Sequence, residues 1–268
     1  MSELLSLIKA GRKPIVGMVQ LAPLAGSCRY SGGHIESVLA SAFEEAEALD
    51  AYEIDVLMVQ NLGDLPVDSH AAAVQVAWMT RVTCEIRQRF NRPVGLNLLE
   101  NDAEAMFAVA SAASADFVRI KVFVGAMMTP FGIETAQNHA AIRARKAADA
   151  ENIAIFADVH DRTGTPIASG GFEEDLIFAI RLGGADGLVL TGKSYQQTLE
   201  YLAAARRVSA HVPILVGGGV NDANFAEVVK LADGVIVSSS LKTSADAFGK
   251  FDRKKIEAFM GAVRRARA

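Results

Sequence analysis

The chain has 268 residues, of which 51% are hydrophobic and 22% are charged, the balance of an ordinary globular protein. Its formal net charge of -4 at pH 7 provides no basic field that could hold nucleic acid. The cysteines Cys28 and Cys84 show neither a pairing pattern nor a metal-ligand spacing, which suits a reducing compartment.

The first residues predict a short amphipathic helix without the apolar core and cleavage site of a signal peptide. No later apolar run approaches the ~20 residues that a membrane span requires. We therefore expect a cytoplasmic protein with no transmembrane segment.

Eight short apolar runs recur along the chain, and each is followed by a segment with helical periodicity. The runs are mostly β-branched and do not alternate with polar residues, which is typical of parallel strands covered by helices. The predicted strands are residues 15–19, 55–60, 94–98, 117–122, 153–159, 186–191, 214–217 and 233–237. The predicted helices are residues 35–49, 71–90, 102–113, 139–150, 173–182, 198–208, 224–231 and 252–266.

This alternation predicts one domain, residues 1–268, that folds as a (β/α)8 barrel of the TIM type with a short N-terminal helix. An open, doubly wound sheet has the same alternation and is the alternative. In a barrel, the active site lies at the C-terminal ends of the strands, where side chains converge on one bowl.

Asp158 is the first candidate at these strand ends. It ends an apolar strand, where an ionised carboxylate costs free energy unless it is paired. A general base or a ligand of a divalent cation such as Mg²⁺ would explain it. An ion pair with Arg119 or Lys121, two residues apart on one face of a neighbouring strand, would also explain it. The roles are compatible, because paired groups also tune catalytic pKa values.

Other strand ends supply further candidates. Glu100 or His160 would be the acid partner of Asp158, although Glu100 would equally cap the next helix. Arg119 and Lys121 would stabilise a developing oxyanion. Lys121 and Lys193 also suggest imine chemistry, and Lys193 is a further candidate for binding the substrate or its phosphate. Lys193 lies in a predicted loop, however, where a lysine is more commonly solvated. The candidates for recognising substrate hydroxyls, or for simply closing the barrel mouth, are Gln20, Asn61 and Asn97.

Small residues follow the last two predicted strands, where TIM barrels commonly bind phosphate. They are Gly217, Gly218 and Gly219 after the seventh strand and Ser238, Ser239 and Ser240 after the eighth. Glycine lets backbone N–H groups approach an anion, and a helix starting at Ser239 or Ser240 would direct its positive end there. A tight turn and a helix cap would explain the same residues without a ligand. Lys242 would be solvated or would pair with the phosphate.

Residues 125–132 form a long predicted loop with glycine at both ends. Its methionine and phenylalanine side chains would form a lid over the bowl or an apolar subunit contact. The subunit-contact interpretation of this loop would make the protein a homo-oligomer.

Five segments together resemble the BtpA/SgcQ family. They are GMVQLAPLAGSCRY (17–30), GLNLLEND (95–102), FVRIKVFVGA (117–126), FADVH (156–160) and ADGVIVSSSLK (232–242). The resemblance covers nearly the whole chain and implies a TIM-type barrel. The family often has His at the position of Gln20, Asp at that of Pro130, and a Lys-His pair where Asp161 and Arg162 stand. These departures at strand ends indicate a divergent branch with a different substrate.

Two functions follow as hypotheses. In the first, the protein is an enzyme that acts on a phosphorylated small molecule, such as a sugar phosphate, by isomerisation, epimerisation, or carbon–carbon or glycosidic cleavage. The second hypothesis comes from the family resemblance, because one member of the family is named for photosystem I biogenesis. In it, the protein is a non-catalytic assembly or stability factor. The substrate, the reaction and the oligomeric state stay open.

Overall fold

The computed structural model describes residues 2–244 and 246–267, and within them eleven strands. In chain order they are β1 (Ile15–Gln20), β2 (Val56–Gln60), β3 (Val94–Asn97), β4 (Phe117–Ile120), β5 (Ala126–Thr129), β6 (Gly132–Thr135), β7 (Ala154–Asp158), β8 (Thr165–Pro166), β9 (Gly187–Leu190), β10 (Ile214–Val216) and β11 (Gly234–Val237). Eight of them close into a parallel barrel in the order β1-β11-β10-β9-β7-β4-β3-β2. These are the eight strands predicted from the sequence. The pairing of Val16 with Ile236 joins the first strand to the last, so the doubly wound alternative is wrong.

Helices separate the barrel strands. In chain order they are α1 (Glu3–Lys9), α2 (Ile35–Asp50), α3 (Ala73–Arg89), α4 (Ala103–Ala112), α5 (Asn138–Ala147), α6 (Phe172–Ile177), α7 (Tyr195–Val208), α8 (Phe225–Val228) and α9 (Arg253–Arg267). Helix α6 continues as a π-helical turn over Phe178–Leu182. No helix within the described ranges combines the length and apolar character that crossing a bilayer requires.

The predicted N-terminal helix α1 closes the bottom of the barrel. Asp116, just before β4, accepts hydrogen bonds from Ser2 Oγ (2.7 Å) and from the backbone N–H of Leu4 (3.0 Å). Leu4 is fully buried in the cluster of side chains that fills the barrel interior. The C-terminal ends of the barrel strands therefore lie at the opposite end from α1.

The barrel interior packs around two aromatic rings. Phe117 and Phe156 meet edge to face, with their centroids 5.5 Å apart. A Cβ atom at Gly95 would lie 2.2 Å from the Phe117 ring, and one at Gly187 would lie 2.4 Å from the Phe156 ring. Glycine at these two strand positions therefore makes room for the rings.

Two segments differ from the sequence prediction. The predicted loop 125–132 instead belongs to a hairpin of β5 and β6, which forms a small antiparallel sheet with β8. The helix expected at Ser239 or Ser240 is a single 3-10 turn, Ser239–Leu241, after which Lys242 forms a bridge with Phe251.

Candidate active site

A cavity of about 310 Å³ lies at the C-terminal mouth of the barrel, a volume within the usual range for small-molecule sites. We call it the bowl. Its polar lining residues are Gln20, Gln60, Asn101, Arg119, Lys121, Thr129, Glu134, Asp161, Arg162, Thr163, Thr191, Ser238, Ser239 and Ser240, together with Gly217, Gly218 and Gly219. The bowl therefore combines the glycine and serine segments predicted for phosphate with the two cations predicted at the end of β4.

Four charged residues form a cation-paired cluster at the ends of β4 and β7. Arg119 donates from Nε to Asp158 Oδ1 (2.8 Å) and from Nη2 to Asp158 Oδ2 (2.6 Å). Lys121 Nζ lies 3.4 Å from Asp161 Oδ1 and 3.3 Å from Thr163 Oγ1. Asp161 Oδ2 lies 4.0 Å from Arg119 Nη2, so it joins the two pairs.

The pKa values in this cluster diverge. Burial raises the pKa of Asp158 to about 6, although Arg119 opposes the shift. Burial acts on Asp161 in the same direction, but Lys121, Arg119 and Thr163 outweigh it and lower that pKa to about 2. Burial also disfavours the charge of Arg119, yet Asp158 and Asp161 prevail and raise its pKa. At pH 7 all three groups are therefore charged.

The glycine segment lies beside an arginine that the sequence did not indicate as a site residue. A Cβ atom at Gly218 would lie 3.4 Å from the guanidinium group of Arg162, and one at Gly217 would lie 2.5 Å from Thr191 Oγ1. Gly219 has φ +77°, a conformation that favours glycine. Arg162 was visible in the sequence only as a departure from the family pattern, four residues after Asp158.

Three buried polar atoms in the bowl have no hydrogen-bond partner among the described residues. They are Gln20 Oε1, Thr191 Oγ1 and Ser238 Oγ, at the ends of β1, β9 and β11. A buried polar atom without a partner costs about 1–3 kcal/mol. Their grouping in one cavity, beside two arginines and a lysine, indicates a place that a polar ligand completes.

Other predicted residues lie next to the bowl without lining it. Asn61 Nδ2 donates to Glu100 Oε2 (2.9 Å) and to Asp64 Oδ2 (2.9 Å). Gln75 Nε2, from α3, donates to both of the same carboxylates at 2.9 Å. Burial raises the pKa of Glu100, and the nearby Asp64 adds to the shift. We call these four residues the amide-paired cluster.

Asn97 is also turned away from the bowl. Its Nδ2 donates to the carbonyl oxygen of Arg119 (2.8 Å), and its Oδ1 accepts from Gln60 Nε2. Its side chain therefore supports the backbone and side chains around the bowl, and neither amide atom is available to a ligand there.

His160 faces a second cavity of about 310 Å³, which Lys121 and Asp158 also line. Its Nε2 lies 2.7 Å from Asp175 Oδ2, and Ser169 Oγ donates to the same carboxylate oxygen (2.6 Å). His160 is thus separated from the bowl by the cation-paired cluster.

The two remaining lysines do not line the bowl. Lys193 is exposed, as expected for a loop lysine. Lys242 is fully buried: its Nζ contacts Glu45 Oε1 (2.5 Å) and the carbonyl oxygen of Ala247 (2.6 Å). The expectation that Lys242 is solvated or pairs with phosphate is therefore wrong, because Glu45 on α2 takes its charge.

The tip of the β5–β6 hairpin contributes to the lining of the bowl. Thr129, Pro130 and Phe131 at its tip line the cavity. Met128 and Ile133, which pair across the hairpin, are 51% and 60% exposed.

A divalent cation at Asp158 does not fit these contacts, because both carboxylate oxygens accept from Arg119. Within residues 2–244 and 246–267, no group of three or more His, Cys, Asp or Glu side chains has an arrangement that could hold a metal ion.

Solved structures of similar fold include enzymes. The N-(5'-phosphoribosyl)anthranilate isomerase of Pyrococcus furiosus is 18% identical, with a TM-score of 0.56 over 94% of this chain and 98% of its own. A tryptophan synthase structure from M. tuberculosis is 15% identical, with a TM-score of 0.60 over 100% of both chains. At such identities the likeness shows the TIM-barrel fold alone.

Sequence relatives are closer. An uncharacterized protein of Thermococcus kodakarensis is 37% identical, covering 86% of this chain and 87% of its own. The photosystem I biogenesis protein BtpA of Synechocystis is 32% identical, covering 93% of this chain and 88% of its own. The BtpA family model matches residues 11–265. The chain therefore belongs to the BtpA family.

Proposed function

We propose that the protein is an enzyme that binds a phosphorylated small molecule in the bowl and transfers a proton on it. The observation that carries the proposal is the grouping of three unpartnered buried polar atoms, on Gln20, Thr191 and Ser238, in a cavity lined by Arg119 and Arg162. Unpaired buried polar atoms are rare in native proteins, and a catalytic role or a bound water or ion is among the explanations for them.

The phosphate would bind between the last two barrel strands. Arg162 lies against Gly218, and Ser238 offers an unpartnered hydroxyl from the neighbouring strand end. An arginine fork and hydroxyl donors match the oxygens of a phosphate. The phosphoribosyl group in the name of a barrel of similar fold supports this choice as an analogy.

The proton transfer would use Lys121 and Asp161, because both line the bowl. Asp158, the base expected from the sequence, gives both oxygens to Arg119 and does not line the bowl. We therefore assign Asp158 a positioning role: it holds Arg119, whose charge would stabilise an oxyanion that develops on the substrate. Glu100 and His160 do not line the bowl, so we do not assign either of them the role of the acid. Isomerisation, epimerisation and the bond cleavage that lyases catalyse all require such a proton transfer.

Thermal unfolding with inorganic phosphate tests the binding step. At ten times the Kd, binding adds about 1.4 kcal/mol to the free energy of unfolding, which raises Tm by about 3 to 5 °C. We expect Arg162→Ala to remove this rise. The control is Arg143→Ala, which loses only an exposed ion pair with Glu104 and should keep the rise. No rise in the unmodified protein, or an equal rise in the Arg162 variant, would contradict the proposal.

A non-catalytic assembly role is the second candidate, because the hairpin sheet presents an apolar face. Met128, Ile133 and Ile167 are each at least 37% exposed on it. The name of the Synechocystis relative supports a role in assembly. The same face would serve a homo-oligomer. If Met128→Ser with Ile133→Ser removes the biological role while Asp161→Asn keeps it, the assembly role is right and the enzyme proposal is wrong.

A further inference from the structure

The bowl has two walls of different chemistry. The ends of β4, β7, β9, β10 and β11 bring the cationic, hydroxyl and glycine positions described above. The ends of β2 and β3 bring Leu62, Leu65 and Leu99, and the tip of the β5–β6 hairpin adds Pro130 and Phe131. These five side chains, which we call the apolar wall, have no hydrogen-bonding group.

The strand order sets the two walls against each other. Around the closed barrel, β2 and β3 lie four positions from β9 and β10 respectively, so they are diametrically opposed. The leucines of the apolar wall therefore face the glycine segment at residues 217–219 across the mouth. A ligand whose phosphate lies at the glycine segment would extend its other end toward Leu62 and Leu99.

Several amide and acidic groups near the apolar wall are already engaged. Asn61 and Gln75 both donate hydrogen bonds to Glu100, and none of the three lines the bowl. Asn101 lines the bowl, but its Oδ1 accepts from the backbone N–H of Val122 (2.9 Å) and its Nδ2 points to the carbonyl of the same residue (3.3 Å). This side of the bowl therefore presents more apolar side chains than polar ones, which are Gln60 at the end of β2 and Thr129 and Glu134 on the hairpin. The several hydroxyl groups of a sugar chain would exceed these partners, and burial of a hydroxyl group without a partner is costly.

We propose that the substrate is a phosphate monoester with a ring-sized apolar group at the end opposite its phosphate. This inference rests on the proposed function and narrows its substrate class. Phe131 and the three leucines bury the apolar group, and Gln20 Oε1 accepts a hydrogen bond from a donor in the middle of the ligand. Glu134 on β6 lines the same bowl and disfavours a second phosphate.

Calorimetric binding of two phosphate monoesters of similar size tests the inference. The probes are 2-phenylethyl phosphate, which carries an apolar ring, and ribose 5-phosphate, which carries hydroxyl groups. We expect the first to bind about tenfold more tightly, as burial of a ring in an apolar pocket provides. Phe131→Ala should reduce this ratio to about threefold or less, because it removes an apolar surface of the wall.

Two variants separate the inference from the function on which it rests. Arg162→Ala should weaken both esters by the same factor. Phe178→Ala removes a phenylalanine of similar exposure (39%, against 43% for Phe131) that does not line the bowl, and it should leave the ratio unchanged.

Failure of the inference and failure of the function give different results. The substrate class is wrong if ribose 5-phosphate binds as tightly as 2-phenylethyl phosphate, or if Phe131→Ala leaves the ratio of the two affinities unchanged. If Arg162→Ala still weakens both esters in that case, the proposed phosphate site stands. If neither ester binds, or if Arg162→Ala affects neither, the phosphate site itself is wrong and the substrate class falls with it.

Discussion

Two buried acidic clusters lie at neighbouring strand ends of this barrel, and they differ in what pairs with the carboxylates. In the cation-paired cluster, Asp158 and Asp161 contact Arg119 and Lys121. In the amide-paired cluster, Asp64 and Glu100 accept hydrogen bonds from side-chain amides and a backbone N–H group, those of Asn61, Gln75 and Leu24. The first cluster supplies three residues to the bowl, whereas none of the four residues of the second lines it.

The amide-paired cluster instead holds loops together. Asp64 Oδ1 accepts from the backbone N–H of Leu24 (2.7 Å), and Asn61 Oδ1 accepts from that of Leu99 (3.0 Å). The loops after β1, β2 and β3 are thereby joined behind the apolar wall. A carboxylate at the end of a barrel strand is therefore not enough to indicate chemistry, because its partners decide whether it faces the ligand.

The largest difference between the clusters should appear when one cation is removed. Arg119→Met leaves Asp158 buried with no pairing guanidinium, which should lower the free energy of unfolding by about 3 to 5 kcal/mol in urea denaturation. Adding Asp158→Leu removes the unpaired charge, so the double variant should recover part of that loss. A double variant that is less stable than Arg119→Met would contradict the description of this pair as a matched, buried ion pair.

The amide-paired cluster should respond less to the loss of one amide. Gln75→Met keeps the length of the side chain but removes two hydrogen bonds to carboxylates, which should lower the free energy of unfolding by about 2 to 3 kcal/mol. Gln88→Met is the control, because Gln88 is exposed on the same helix α3. Equal effects of the two substitutions would mean that Gln75 does not support the buried carboxylates.

The barrel could be predicted from the sequence because the pattern that indicates each strand and each helix is local. Each apolar run and each helical segment shows its period within a few residues, and eight repeats leave few ways to fold. The hairpin was missed because β5 and β6 have only four residues each, with Pro130 between them, and the segment reads as a loop.

The site was harder to predict because it depends on pairings between distant residues. Asn61 and Glu100 lie at strand ends, as expected. Gln75 on α3, however, donates hydrogen bonds to the carboxylates of Asp64 and Glu100 behind the apolar wall. Arg162 lies beyond the end of β7 in an irregular segment, where no periodicity indicates which way a side chain points. Its position against Gly218 depends on the neighbouring strands of the closed barrel.

The smallest expected effect concerns pH and compares the two carboxylates of the cation-paired cluster. The pKa of Asp161 is lowered to about 2 in the folded protein, so its stabilising contribution is present above the usual pKa and is lost as pH falls toward 2. We expect Asp161→Asn to reduce the free energy of unfolding by about 1 to 2 kcal/mol at pH 5, and by less at pH 3. Urea denaturation of both proteins at these pH values measures the difference.

The contribution of Asp158 to the free energy of unfolding should change with pH in the opposite direction. Its pKa is raised to about 6, so between pH 4 and pH 6 the folded protein holds a proton that the unfolded chain has already released. Its contribution to the free energy of unfolding therefore decreases as pH rises through this range. Relative to Asp158→Asn, the unmodified protein should lose stability from pH 4 to pH 6, whereas relative to Asp161→Asn it should gain stability from pH 3 to pH 5. If both differences changed in the same direction, the pKa of Asp158 would not be raised above its usual value in the folded protein.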